Sequence, residues 1–352
     1  MEGYSPQRDR ATADDVRPPL SVQRELTVGG DTQFGSPVGV ARGLLFVEGT
    51  RQLHAFALDS GQEQWVFDLP GSFLSPAVAG NSVFVRAESD KDGYILALSA
   101  DTGLKLWQFK FPQVGSAYDN VGGHVTSPVV AEGLVLVGAS RAFRALNAET
   151  GVQVWVFDTK TPVASSATVA NDSVYFTDFT RLYALDLKTG AERWSFEHGR
   201  LSLLFAPVVI ADEVIVTSNN TVYALNRHNG QVLWTRTLNN TEDLVPSAAA
   251  GERVYVKSAN QLYALDRLTG EMAWAYPPAG QAADFVSLPA LAGTQLYVIT
   301  RTGGSGQLRA LRLADGQEIW QTEDTRLANA APVVAGGRVY VRTIDGRVLV
   351  YD

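Results

Sequence analysis

The chain has 352 residues, 45% hydrophobic and 19% charged, with 29 Lys and Arg against 37 Asp and Glu for a formal net charge of −8. This is the composition of a folded chain with a sizeable core, and the acidic balance argues against a nucleic-acid footprint, which needs clustered cations. Cysteine is absent, which removes disulfides, thiolate metal sites and cysteine nucleophiles. No run approaches the eighteen or so apolar residues of a membrane-spanning helix.

Residues 1–21 read as a polar lead-in without the apolar stretch of a signal peptide. Glu25-Leu26-Thr27-Val28-Gly29 follows as a lone strand. From there one unit repeats: a Ser/Ala-Pro apolar run, a tight turn, a second apolar run, then Ala-x-Asp-x-x-Thr-Gly-x-x-x-Trp. The units open at Pro37, Pro76, Pro128, Ala167, Pro207, Pro246, Pro289 and Pro332, a pitch of about 42 residues that fits four-stranded propeller blades. Within a unit the strands are the Pro-led run, a Val-Tyr-Val run such as Val254 to Val256, a Leu-Tyr-Ala-Leu run such as Leu262 to Leu265, and a strand at the Trp.

The motif accounts for all seven tryptophans, Trp65, Trp107, Trp155, Trp194, Trp234, Trp274 and Trp320, each with a glycine four residues earlier: Gly61, Gly103, Gly151, Gly190, Gly230, Gly270 and Gly316. The acid or amide before each turn is placed to accept backbone N–H bonds, and the glycine supplies the positive φ of a tight hairpin. A tryptophan recurring once per unit, large and with an N–H to satisfy, is expected between neighbouring blades. The eighth unit reaches only its acid position, Asp352, and has no fourth strand of its own. Counting back from Pro37 by the Trp65-to-Pro76 interval lands on Leu26, so the N-terminal strand is expected to complete the last blade and remove an open sheet edge. The fold predicted is all-β: a single eight-bladed propeller over 22–352, four antiparallel strands per blade.

The Ala-to-Trp motif resembles the tryptophan-docking motif of the PQQ-like, quinoprotein-type propeller superfamily, which includes quinoprotein alcohol dehydrogenases and BamB-like proteins. The lead-in, Gly3-Tyr4-Ser5-Pro6 and Arg17-Pro18-Pro19-Leu20, is similar to that of exported bacterial members, which implies a periplasmic or extracellular protein whose signal peptide is not in this sequence. The superfamily has catalytic and non-catalytic members, so the fold does not settle the activity.

In an up-and-down blade, the second-to-third strand turns and the crossovers emerge at one end, and the other two turns at the opposite end. Length variation gathers at the first: Trp107 to Pro128 spans 21 residues against 11 to 15 elsewhere and carries Tyr118, Asp119, Asn120 and His124. With Phe205 and Phe285 from other crossovers, these residues form the candidate interaction face, because binding residues concentrate on variable loops of a rigid scaffold. Four scattered histidines make no metal site, and no zincin, P-loop, nucleophile-elbow or dinucleotide fingerprint occurs. Asp90-Lys91-Asp92-Gly93 lacks the further oxygen ligands of a calcium loop.

The expectation is a non-catalytic protein-interaction scaffold, not an enzyme, with no cofactor, no nucleic acid and another protein as partner. A ligand-sensing domain of a larger receptor or kinase is one alternative. A PQQ-dependent dehydrogenase is a second, disfavoured because the adjacent cysteines and long cofactor loops of many such enzymes are missing.

Overall fold

The computed structural model describes residues 11–12, 14–28, 37–49, 51–73, 75–88, 92–112, 126–197, 205–239, 243–277, 284–302, 305–323 and 326–352. These form eight separate sheets, each built on a four-stranded antiparallel meander and two of them carrying short added strands, arranged as an eight-bladed propeller. We number the blades 1 to 7 by the sheets holding Trp65, Trp107, Trp155, Trp194, Trp234, Trp274 and Trp320, and call the last blade 8. Blade 4 is representative, with strands Thr168–Ala170, Ser173–Thr177, Arg181–Asp186 and Glu192–Glu197 running from the central channel outward.

Blade 8 takes its first three strands from Val333–Ala335, Arg338–Arg342 and Arg347–Tyr351, and its outer strand from Val22–Thr27. Leu26 pairs with Val348 and Thr27 with Arg347, so the two ends of the chain fasten the ring.

Strand periodicity explains the core. Successive side chains point to opposite faces of a sheet, so Val174 and Phe176 enter the cluster shared with blade 3 while Tyr175 enters the one shared with blade 5. Eight such buried clusters occur among the described residues, one at each blade interface. Neighbouring blades share no sheet, so packing between faces holds the ring together.

The repeat motif forms the outer part of each interface. Asp186 Oδ1 accepts from the Thr189 N–H at 2.9 Å and from its hydroxyl at 2.8 Å, closing a turn that Asn147 and Asp266 reproduce. The turn glycines of blades 2 to 7 have φ between 70° and 72°. A Cβ added at any of them would sit 2.5–2.7 Å from a ring carbon of the preceding blade's tryptophan, so the indole lies flat on bare backbone. Each of these six indoles also donates its N–H to a carbonyl in the same turn at 2.7–3.0 Å, as Trp65 does to Ala100.

The closure between blades 8 and 1 uses other chemistry at the same place. In the motif strands the tryptophan faces the alanine of the third strand just before a bulge, as Trp155 faces Ala145. Blade 8 has the same bulge, and the residue opposite Val350 is Arg24, not Leu26. Arg24 stands in for the indole. Its Cδ is 2.9 Å from where a Cβ of Gly61 would be, and its guanidinium donates to Leu58 O and Asp59 O, both at 2.7 Å. Leu26 instead packs into the cluster between blades 8 and 1.

Two stability tests follow. Arg24→Ala should lower the unfolding free energy by about 1–2 kcal/mol, the lower part of the range for charged hydrogen bonds because the side chain is half exposed, while Arg24→Trp should retain most of it; urea titration reads both. Gly151→Ala and Gly133→Ala strain similar backbones (φ 71° and 74°), but only the first would press on an indole. Gly151→Ala should therefore cost about 1–3 kcal/mol more than Gly133→Ala, and equal losses would contradict the contact.

Candidate functional site

The meander places the crossovers and the second-to-third strand turns at one end of the ring, here the loop end, and the remaining turns at the other, the turn end. At the loop end two repeated devices and one found in blade 4 position the crossovers. A Ser or Thr two residues before the Pro-led run accepts the N–H of the second strand: Thr126 from Gly138 at 3.0 Å, Ser165 from Thr177 at 2.9 Å, and Ser287 from Ile299 at 2.9 Å.

Cations at one position of the second strand then reach into the following blade. Arg86 donates to Gly138 O at 2.6 Å and Thr126 Oγ1 at 3.0 Å, Lys257 to Phe285 O at 3.1 Å, and Arg342 to Glu48 O at 2.6 Å. Arg86 is buried, which pushes its guanidinium below the usual range while an ion pair with Glu88 pulls the other way. Arg342 is buried likewise, with Glu48 beside it. Their shared context, Val83-Phe84-Val85-Arg86, Val254-Tyr255-Val256-Lys257 and Val339-Tyr340-Val341-Arg342, was a sequence signal that the reading of the motif passed over.

The third device is Asp178, fully buried in the turn of blade 4. Its carboxylate accepts from Arg181 N at 2.7 Å, Thr180 N at 2.8 Å, the Tyr183 hydroxyl at 2.9 Å and Thr161 N at 3.2 Å. Burial, with Asp178 adding to it, pushes the Tyr183 hydroxyl well above the usual tyrosine range. These charged and polar groups fix loops; they do not converge on a common centre.

Of the residues proposed for the interaction face, Tyr118, Asp119, Asn120 and His124 lie outside the described residues. Phe205 is half-buried at the start of the run into blade 5. Phe285 is 4% exposed, packed edge-on against Tyr276 inside the interface of blades 6 and 7. It therefore contributes to the core and not to an exposed rim. Among the described residues no three of His, Asp or Glu converge as the ligands of a metal ion would. Among the described residues no helix is long and apolar enough to cross a membrane.

The profile of the family described as outer membrane protein assembly factor BamB matches residues 18–140, 117–276 and 178–352. The chain belongs to this PQQ-like propeller family. Among solved structures, BamB from Moraxella catarrhalis superposes with a TM-score of 0.73 at 18% identity, covering 95% of this chain and 98% of that one. A europium-containing methanol dehydrogenase gives 0.76 at 13% identity, covering 100% and 97%. Quinohemoprotein alcohol dehydrogenase from Comamonas testosteroni gives 0.73 at 14% identity, covering 98% and 79%. At these identities the likeness is one of fold. No curated protein sequence matches significantly.

The turn of blade 8 at this end carries a pH-dependent link to the closing strand. Asp345 accepts from Arg347 Nη2 at 2.7 Å and Nε at 3.1 Å and from the Thr343 hydroxyl, and these bonds lower its carboxyl to about 2. Arg347 also pairs with Glu25 of the outer strand. A folded value below the unfolded one means that the contribution is complete above about pH 4 and is lost as pH falls through about 2. In urea titrations Asp345→Asn should lower the midpoint at pH 6 and draw level with the wild type near pH 2.

Proposed function

We propose that this protein is a non-catalytic interaction scaffold of the bacterial envelope that engages a partner protein through its loop end. The observation that carries the reading is how the loop-end cations are used. Arg86, Lys257 and Arg342 fasten blade to blade, which makes that end a stiff platform, and the crossovers that vary in length stand on it. Binding residues concentrate on loops held in this way. Membership of the BamB family supports an envelope setting and a protein partner. The dehydrogenases share the propeller, but a fold does not carry an activity with it.

The test separates the two. Tagged protein carrying Tyr118→Ala and Phe205→Ala together, checked for native circular dichroism, should recover at least tenfold less of whichever envelope protein the wild type captures after in-cell crosslinking. Unchanged recovery by the folded double variant would remove the loop-end reading. Soaking the wild type with PQQ and calcium should give no cofactor absorbance and no dye-linked alcohol oxidation; a positive result would install the dehydrogenase reading instead.

A further inference from the structure

The lead-in does more than reach the closing strand. Ala11–Thr12 pair in parallel with Leu291 and Ala292 on the innermost strand of blade 7, and lie also against the innermost strand of blade 6 (Val245–Ala250). The Asp14 N–H then donates to Thr12 Oγ1 at 3.2 Å as the chain turns. Asp15 crosses the turn end over Gly293, where the missing side chain admits it: a Cβ there would be 2.8 Å from Asp15 Oδ1. Val16 and Leu20 sink into the cluster between blades 7 and 8, and the Tyr297 hydroxyl donates to Val16 O at 2.7 Å.

The second strand of a blade pairs with one edge of its innermost strand, and the other edge faces the channel as a row of backbone donors and acceptors. Such an edge is a template for one more strand. In blade 7 the chain itself supplies that strand.

We propose that the channel-side edge of Ala290–Ala292 is an acceptor site for an extended peptide with small side chains, held shut here by Ala11–Thr12, and that the lead-in is an exchangeable strap hinged at Val16. The two ends of the strap are unequal. The inner end has two paired residues, Ala11 and Thr12, whereas the outer end is paired along Val22–Thr27. Val16 and Leu20 anchor the stretch between them, so the inner end can lift while blade 8 keeps its outer strand. The present strand sets Ala11 opposite Leu291 and Thr12 opposite Ala292, so the replacement strand is one with small residues at those two places. The acceptor site lies toward the turn end, away from the variable loops. It rests on the reading of the protein as a scaffold and names a second class of partner for it.

The absence of native cysteine gives a direct test on the full chain. Thr12 and Ala292 are register partners, so Thr12→Cys with Ala292→Cys should form a disulfide that locks the strap. A fluorescein-labelled peptide of residues 6–20 is titrated into this variant, reduced and oxidised. Saturable binding to the reduced form, at least tenfold weaker to the oxidised form, is the expected result. Equal binding to both, or binding to neither, overturns the proposal. Ala11→Cys with Leu291→Cys repeats the measurement if the first pair fails to fold. Loss of the loop-end partner in the crosslinking test leaves this result untouched, so the two readings fail separately.

Discussion

A flat indole resting on a glycine with no side chain in its way is the contact on which this ring depends. Among the described residues the strands of neighbouring blades are not joined in one sheet, and apolar faces alone leave neighbouring blades free to slide. The indole N–H removes that freedom by tying the outer strands of blades 1 to 6 to a carbonyl of the next blade's turn, as Trp194 does to Arg227. Sealing one such ring removes on the order of 150–200 Å² from water, an upper bound of about 4 kcal/mol. The glycine is required twice over at these turns, once for its positive φ and once for the space above it. Arg24 shows which part of the arrangement is the constraint. A guanidinium replaces the indole, yet it covers the same kind of turn and donates to its carbonyls.

What could be read from the sequence follows from this. Six repeats of one contact, with a seventh copy of its motif at Trp320, imprint one pattern, so the strand order, the blade number and the closing role of Val22–Thr27 were all legible. Arg24 was not, because the motif there is chemical and not literal. Counting back from Pro37 by the shortest crossover interval then stopped two residues short of Arg24, at Leu26. The clamps formed by Arg86, Lys257 and Arg342 hid for another reason: a cation ending a strand reads as solvated, and only the neighbouring blade shows it to be inside. Phe285 failed in the opposite sense, since an aromatic residue in a crossover reads as surface until Tyr276 is found packed against it. The strap pairs only once, and a contact that does not repeat leaves no period to detect.

The interior says little about activity. Alternating residues along each strand build eight similar interfaces, and the same interior superposes on both a BamB and a methanol dehydrogenase. The differences must therefore lie where the repeat is broken. At the loop end the breaks are the unequal crossovers, mounted on buried polar clamps that make the mount rigid. At the turn end one break is Arg24 over Gly61 and another is Gly293, which alone among the first-to-second strand turn glycines Gly43, Gly80, Gly133, Gly251, Gly293, Gly336 and Gly337 has a neighbour within 4 Å of its missing Cβ, Asp15 of the strap.

The crossovers and the strap differ in kind. A crossover is tethered at both of its ends to finished blades, so it can change in sequence and length without disturbing the ring, and it suits a permanent binding surface. The strap is held by Val16, Leu20 and the closing strand that follows them, and its short inner pairing covers an edge of the sheet. Covering such an edge is how β proteins avoid unwanted strand addition. A cover that pairs through only two residues gives up few backbone hydrogen bonds when it lifts, which is why the proposed acceptor site is placed on the channel side of blade 7 and not on an edge paired along a full strand.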